Sequence, residues 1–372
     1  MPRRGERAPR IVAFATQGTN SRDERRLREL LEGFDVSFAP VWRGRGRLRT
    51  AARLIREISH RRPDLVVMEG TGIGGGIAVL ASHCLSRAPY VVGTGDAVGP
   101  FVGSHQPLLG PSFAVYERAL YRFSAGVVGW TPYLAGRAIT YGAPRAISVP
   151  GWAPPPLSGP ERSASRRSVS RVLGIPEEAI VVGLVGSLVW NRRVGYCYGL
   201  ELVRAATRLR RDDVAVLVVG GGSGEKYLKS AAGRSLGKSV FVVGAAPHEA
   251  MPRYLAAMDI ASLPQSVDGV GSFRYSAKLP EYLAARLPEI TGRIPAAYDL
   301  DTGWVWRLPG RGPWNEVYVS ALADLLSRVT EDEISEKQAA IASAAQFHRP
   351  TQVARMADFL GDLTDDLKDG LR

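Results

Sequence analysis

Short apolar runs recur along this chain in two series, each run separated from the next by enough residues for a helix, and that alternation limits the fold more than any other feature. The first series occupies residues 11–15, 65–68, 90–92, 127–129 and 147–149, and the second 180–185, 214–219, 240–243 and 260–263. Strands that alternate with helices form parallel sheets covered on both faces. Between the two series, Pro150-Gly-Trp-Ala-Pro-Pro-Pro-Leu-Ser-Gly-Pro160 has five prolines and two glycines in eleven positions, the composition of a linker. The fold class expected is α/β, with two Rossmann-like, doubly wound parallel-sheet domains facing a central cleft. Residues 1–150 form the first, 151–168 the linker and 169–345 the second, with a C-terminal helix at 346–372 completing the first. Ligands are expected at the carboxyl ends of the strands.

At 372 residues and 45% hydrophobic, the chain can build two separate cores. The weakly polar stretch 70–85 is interrupted by five glycines and His83, so it does not read as a membrane span, and the first residues lack the apolar segment of a signal peptide. Cys84 and Cys197 fall in different domains and supply neither a disulfide framework nor a metal spacing. A cytoplasmic location is expected. The net charge of +12 raises a nucleic-acid reading, but 42 of the 48 basic residues are arginines, a skew that a GC-rich genome generates by mutation. No nucleic-acid-binding module accompanies the charge, and no nucleic-acid partner is expected. More informative is where the arginines gather. Trp42, Arg43, Arg45, Arg47, Arg49, Arg53, Arg56, Arg61 and Arg62 surround a helical pattern of Leu48, Ala51, Ala52, Leu54, Ile55 and Ile58. Such a segment suits peripheral contact with an anionic membrane or a polyanionic acceptor. A solvated helix face accounts for the same arginines.

The segment Arg274-Tyr-Ser-Ala-Lys-Leu-Pro-Glu-Tyr-Leu-Ala-Ala285 carries the sharpest chemical signal. Lys278 and Glu281 stand three apart at the start of an apolar helix and share a face. A helix opening and an ammonium suit a phosphate, while a carboxylate accepts two hydrogen bonds from a diol. Phosphate plus ribose is the ligand that combination fits.

Lys278-Leu-Pro-Glu-Tyr-Leu-Ala-Ala285 resembles a segment of the retaining, GT-B-fold glycosyltransferases of family 4, glycosyl transferases group 1, in which the Glu grips the nucleotide ribose. Upstream, Val182-Gly-Leu-Val-Gly-Ser-Leu-Val-Trp-Asn-Arg-Arg193 is similar to the family's Val-Gly-Arg-Leu-x-x-x-Lys-Gly, whose Arg and Lys neutralise the donor pyrophosphate. Aligned on Gly186, the Arg position holds Ser187 and the Lys position Arg192, with Arg193 and Lys278 as deputies for the missing cation. Gly222 lies in a Val-x-Gly-x-Gly-like turn, and Gly244, Ala245 and Ala246 follow a Val-x-Phe-x-Gly-like strand after which the family packs its nucleobase. His248-Glu-Ala-Met-Pro-Arg-Tyr-Leu-Ala-Ala-Met-Asp-Ile-Ala-Ser-Leu-Pro264 resembles the lead-in to the family's donor site. Asp268 and Gly271 occupy the donor-sugar loop, but twelve residues separate Asp268 from Glu281 where the family's two Glu residues are separated by seven. The Ser-x-Lys-Leu-x-Glu-Tyr form of other members matches Ser276, Lys278, Leu279 and Glu281.

In the first domain the resemblance places Gly18 and Thr19 beside the donor phosphates and Asp96 near the acceptor hydroxyl, with Glu117, His83 and His105 as lesser candidates. A carboxylate at a strand's end can accept a proton or orient a hydroxyl, and it can equally cap the next turn. Asp96, Arg192 and Lys278 are the catalytic candidates. The resemblance implies retaining transfer from a nucleotide diphosphate sugar to an acceptor hydroxyl, with no obligatory metal and no further cofactor. The acceptor stays open among glycan, lipid-linked and small-molecule hydroxyls. Two other readings compete. Gly70, Gly72 and Gly75 fit the Gly-x-Gly-x-x-Gly of an NAD(P)-dependent oxidoreductase, with Asp96 downstream. Ser187 and the altered acidic spacing fit a glycosyltransferase-like subunit that binds without turnover. Asp299 and Asp301 mimic a metal-binding Asp-x-Asp, and a loop role is expected for them.

Overall fold

The computed structural model describes residues 9–42, 46–153, 155–341 and 345–369. The chain divides into two compact units, Met1–Gly151 with Gln346–Arg372, and Trp152–Ala345.

The first unit is built on strands β1 (Arg10–Ala15), β2 (Asp35–Phe38), β3 (Leu65–Glu69), β4 (Tyr90–Thr94), β5 (Gly126–Gly129) and β6 (Ala146–Ser148). They form one parallel sheet in the order β2-β1-β3-β4-β5-β6. Helices α1 (Arg22–Leu30), α2 (Arg47–Arg61), α3 (Ile73–Ser86), α4 (Val98–His105), α5 (Gly110–Arg122) and α6 (Pro132–Thr140) connect them. The second unit opens with α7 (Gly159–Leu173) and continues through β7 (Ile180–Val185), α8 (Leu200–Ala206), β8 (Val214–Val219), α9 (Glu225–Ala232), β9 (Val240–Gly244), α10 (Met251–Ala256) and β10 (Ile260–Leu263). It ends with α11 (Lys278–Ala284), β11 (Glu289–Gly292), α12 (Ala296–Asp299), β12 (Val305–Leu308), α13 (Glu316–Arg328) and α14 (Glu331–Ala340). Its parallel sheet has the order β12-β11-β10-β7-β8-β9.

The central strands are buried at every position, as in β7 (Ile-Val-Val-Gly-Leu-Val) and β8 (Val-Ala-Val-Leu-Val-Val), because helices cover both faces. Three strands lie outside the two sequence series. β2 (Asp-Val-Ser-Phe) and β12 (Val-Trp-Arg-Leu) are four-residue edge strands with exposed polar positions, and β11 (Glu-Ile-Thr-Gly) hides a carboxyl inside the sheet.

Two expectations change here. Residues 159–168, read as linker, are helical and lie in the second unit, because Ser158 and Glu161 form a capping box that starts α7 despite Gly159 and Pro160. The apolar stripe of α2, read as a membrane face, is used by the core: Ala51, Leu54 and Ile58 are all at most 3% exposed. Arg43 and Arg45 lie outside the described residues. The last helix, α15 (Arg349–Asp369), returns to the first unit. Phe359 and Leu363 seat against Gly126, where a Cβ would fall 2.6 Å from the Phe359 ring, while Arg355 donates to Ser148 O and Arg349 pairs with Glu29 and Glu32 of α1 and its C-terminal turn.

Glu289 on β11 is 1% exposed, and its Oε1 has no hydrogen-bond partner. Burial pushes this carboxyl well above the ordinary value of 4.5. Between about pH 4.5 and that raised value the native chain keeps a proton that the unfolded chain releases, so this group lowers stability as pH rises. Glu289→Met is expected to stabilise the second unit by about 1–3 kcal/mol at pH 7.5 and by less near pH 4.5, as read by urea unfolding at the two pH values.

Candidate functional site

In the second sheet the chain runs outward through β7, β8 and β9, then returns to place β10 on the other side of β7. The switch point therefore lies between β7 and β10, and the loops after those strands frame the crevice where open α/β sheets bind ligands.

Glycines bring the strand-end loops together. Gly186 N donates to Val219 O at 2.9 Å, Leu188 N to Gly221 O at 3.0 Å, Gly220 N to Gly244 O at 2.8 Å and Gly224 N to Leu188 O at 2.7 Å. A Cβ on Gly220 would lie 1.7 Å from Gly186 O, and one on Gly222 2.5 Å from the Leu188 carbonyl. Gly222, a candidate nucleotide contact, is thus explained by the approach of one loop to another, and its φ of 154° belongs to that turn. Gly244 also has positive φ at 86°, while Ala245 is exposed and Ala246 half-buried at the loop surface.

Beyond Gly186 the chain exposes Ser187 and then makes a narrow turn. Asn191 and Tyr196 close it through paired backbone bonds of 2.8 and 3.2 Å, and Asn191 Oδ1 accepts from Arg193 N at 3.0 Å. Arg192 and Arg193 stand exposed at its tip. From the β10 side, Lys278 reaches across to Gly186. Its side chain lies over Gly186, where an added Cβ would sit 2.3 Å from Lys278 Cε, and its Nζ is 4.8 Å from the centre of the Tyr198 ring. Lys278 thus crosses the switch point from the β10 side to the end of β7, and Arg192 and Arg193 belong to the loop that follows β7.

Glu281, one turn beyond Lys278, is 8% exposed. It lines a cavity of about 190 Å³ with Leu157, Arg162, Leu255 and Ala285 among its walls. Arg162 is fixed there by a 2.8 Å bond to Ala285 O. Because α11 spans seven residues, Lys278 and not the opening of the helix is the cationic element of this site. Leu279 is buried at 2% and anchors the helix, and Ser276 Oγ accepts from Lys278 N at 3.4 Å.

Asp268 bonds within its own loop. Its Oδ1 accepts from Val270 N at 2.8 Å and Gly271 N at 3.0 Å, closing its own turn. Gly271 is required there, since a Cβ would meet Ser266 O at 2.0 Å. Asp301 likewise holds Gly303 N at 2.7 Å and Arg307 at 2.6 Å, a loop role.

Sequence reading missed the buried polar chain beneath Lys278. Glu201, fully buried on α8, accepts from Tyr196 OH at 2.8 Å, Gly199 N at 3.0 Å and Ser262 Oγ at 3.2 Å. Tyr282 OH donates to Ser262 O at 3.3 Å and accepts from Val185 N at 3.2 Å. Nothing in the local pattern distinguishes Glu201 from an ordinary helical glutamate.

In the first unit, Gly18 turns with φ 107°, and Thr19 is engaged with Val41 through Thr19 N to Val41 O at 2.7 Å and Val41 N to Thr19 Oγ1 at 2.9 Å. Asp96 follows β4, half-buried, with its carbonyl accepting from Thr94 Oγ1 at 2.9 Å. Glu117 is a brace: it holds Arg137 at 2.8 and 2.9 Å and Gly99 N at 3.1 Å, pinning the start of α4 to α5 and α6. His83 Nδ1 lies 3.3 Å from Ala88 O and His105 Nδ1 3.0 Å from Phe101 O, both local contacts. Gly70, Gly72 and Gly75 crowd Thr16: Cβ atoms there would lie 2.4, 2.8 and 2.6 Å from its side chain. Packing within the unit accounts for these glycines without a dinucleotide.

The family described as glycosyl transferase 4-like domain matches residues 3–152, and that described as glycosyl transferases group 1 matches residues 179–328. No curated protein matches the chain. Among solved structures, HepE of Anabaena in complex with UDP-glucose aligns over 95% of this chain and 100% of its own, at 17% identity and a TM-score of 0.69. Sucrose-phosphate synthase from Thermosynechococcus elongatus aligns over 96% and 100%, at 15% identity and 0.71. An α,α-trehalose-phosphate synthase (UDP-forming) from Burkholderia xenovorans, in complex with glucose-6-phosphate, aligns over 95% and 100%, at 13% identity and 0.64. With one glycosyltransferase family matched on each of two Rossmann-like units, the chain belongs to the GT-B glycosyltransferases that resemble family 4.

Proposed function

We propose that the protein transfers a glycosyl unit from a nucleoside diphosphate sugar to an acceptor hydroxyl, with retention at the anomeric carbon and without an obligatory metal. The observation that carries this reading is Lys278 laid across Gly186 at the switch point, where the loop that carries Arg192 and Arg193 begins. The UDP-glucose complex of HepE and the UDP-forming trehalose-phosphate synthase support a uridine nucleotide as the first donor to try.

In this reading the diphosphate meets the three cations and Glu281 takes the ribose hydroxyls. Charge builds on the diphosphate as the glycosidic bond breaks, so fixed cations stabilise the transition state more than the bound donor. Arginine binds phosphate bidentately and stays charged, which supplies the electrophilic role a metal has elsewhere. Attack on the face vacated by the leaving group gives retention. Asp96 is the proposed contact of the acceptor hydroxyl.

The test is UDP binding by calorimetry together with turnover across a panel of sugar nucleotides. Glu281→Ala should weaken UDP at least tenfold, since hydrogen bonds to a charged group are worth ~1.5–3 kcal/mol each. Gly186→Ala should match the loss of affinity in Lys278→Met with little change in thermal midpoint, because the new methyl displaces only a flexible chain end. The wild-type rate should survive EDTA. Unchanged UDP affinity in Glu281→Ala removes the ribose assignment, and UDP binding without transfer or hydrolysis of any donor favours the non-catalytic subunit.

For the acceptor, a polyanionic or membrane-bound molecule is supported by the outer surface of α2. Trp42 is 46% and Leu48 74% exposed, beside Arg47, Arg49 and Arg56, with Arg53 stacked 4.0 Å over the indole. No helix among the described residues is long and apolar enough to cross a membrane. A cytoplasmic enzyme held at the anionic inner leaflet is the matching location. Arg47→Ser/Arg49→Ser should then abolish co-sedimentation with anionic liposomes at low salt while leaving UDP affinity unchanged. Wild-type protein that ignores such liposomes points to a soluble acceptor.

A further inference from the structure

Among the described residues, Glu201 is a fully buried carboxylate at the switch-point end of the second sheet. Its two oxygens take three donors from two elements. Tyr196 OH and Gly199 N bond to Oε2 at 2.8 and 3.0 Å, and Ser262 Oγ to Oε1 at 3.2 Å. The first pair belongs to the turn 196–199, which carries Tyr198, and the Tyr198 ring lies 4.8 Å from the Lys278 ammonium. The third donor belongs to β10. From there the chain of bonds continues through Ser262 O to Tyr282 OH at 3.3 Å and on to Val185 N at 3.2 Å. Tyr282 sits on α11, the helix that begins with Lys278, and Val185 immediately precedes Gly186, over which the Lys278 side chain lies.

One carboxylate therefore joins the ring on which the ammonium rests to the helix that carries the ammonium. We propose that Glu201 is a positioning residue of the donor site, acting through Lys278 and never touching the nucleotide. This rests on the reading of Lys278 as a donor-phosphate cation.

The chemistry of the partners gives the device a second property. All three partners donate, which suits an ionised carboxylate. Burial pushes the Glu201 carboxyl up to about 7. The titratable groups that feel it are Tyr196 and Cys197 on the turn, Tyr282 on α11 and Tyr318 on α13, all held above their usual values and neutral at pH 7. On α9, Glu225 and Lys229 pair with each other. When Glu201 takes a proton it must donate one bond where it had accepted. The Gly199 N–H cannot reverse, so a hydroxyl, of Tyr196 or Ser262, must turn. Glu201→Gln holds that rearranged pattern permanently, with its amide NH₂ donating.

The experiment is UDP affinity by calorimetry on the full chain from pH 6 to 8.5, for wild type, Glu201→Gln, Tyr196→Phe, Lys278→Met and the two double variants with Lys278→Met. Glu201→Gln and Tyr196→Phe should each weaken UDP threefold to tenfold at pH 8, and neither should weaken it further in the Lys278→Met background. Wild-type affinity should fall below about pH 7 toward that of Glu201→Gln, which lacks this step; the ligand's own titration is common to both proteins. Tyr196→Phe, which only deletes a hydroxyl, serves if Glu201→Gln does not fold. Effects that persist undiminished in Lys278→Met, or no effect in the wild-type background, overturn the proposal. If Lys278→Met itself leaves UDP affinity unchanged, the donor-site reading fails and the positioning role fails with it.

Discussion

The second unit depends on how closely three strand-end loops approach one another. Side chains at Gly220, Gly222 and Gly224 would drive those loops apart, since a Cβ at any of them would fall far inside van der Waals contact with the neighbouring loop. Their backbone bonds, from Gly186 to Val219 and from Gly220 to Gly244, extend the β7, β8 and β9 ladder past the formal ends of the strands. The result is a rigid rim on which Lys278 can lie flat. Polar groups that could not be left dry are then absorbed beneath it, by Glu201, Ser262 and Tyr282.

Much of the fold was legible because the central strands are uniformly apolar and β-branched and the intervening segments are of helical length. Strands β2, β11 and β12 were not, since an edge strand needs no apolar face and β11 carries Glu289 inward. Residues 159–168 misread for a different reason: glycine and proline at 159 and 160 signal a linker in isolation, but at the first turn of a helix they are tolerated, and the Ser158–Glu161 capping box decides. Of the candidate site, motif order singled out Lys278, Arg192 and Arg193, and the reach of Lys278 across Gly186 appears only in the folded chain. The local bonds and packing of Gly222, Asp268 and Thr19 were not legible, because a glycine or an aspartate in a turn looks the same whether it faces a ligand or the next loop. Tyr198 and Glu201 were invisible, since their meaning arises only when Lys278 and Ser262, far along the chain, come beside them.

Arginine is abundant here, and much of it serves as internal bracing. In the first unit the buried Arg26 spans Glu69 at 3.1 Å and Val149 O at 2.5 Å and stacks 4.5 Å over Trp130, whose Nε1 donates to Glu69 at 2.7 Å. Burial raises the Glu69 carboxyl even against the pull of Arg26, and removing either partner would leave the other without its counter-charge in the core. Arg137 on Glu117, Arg166 on Asp259 and Arg211 on Asp213, Leu326 O and Val329 O repeat the pattern with partial exposure. A planar fork with five donors can tie three elements at once, which lysine cannot.

The return of α15 to the first unit has a consequence for how the chain is made. Gly126 and Ser148, on strands complete by residue 148, wait for Phe359, Leu363 and Arg355 to cover them. All strands of the second sheet, by contrast, are in hand once residue 308 has emerged. During synthesis the N-terminal unit is therefore the later of the two to finish, and it holds an open apolar face while its neighbour is already closing. Such a half-covered sheet is the species most exposed to association with other chains, so the helix that arrives last sets how long that exposure lasts.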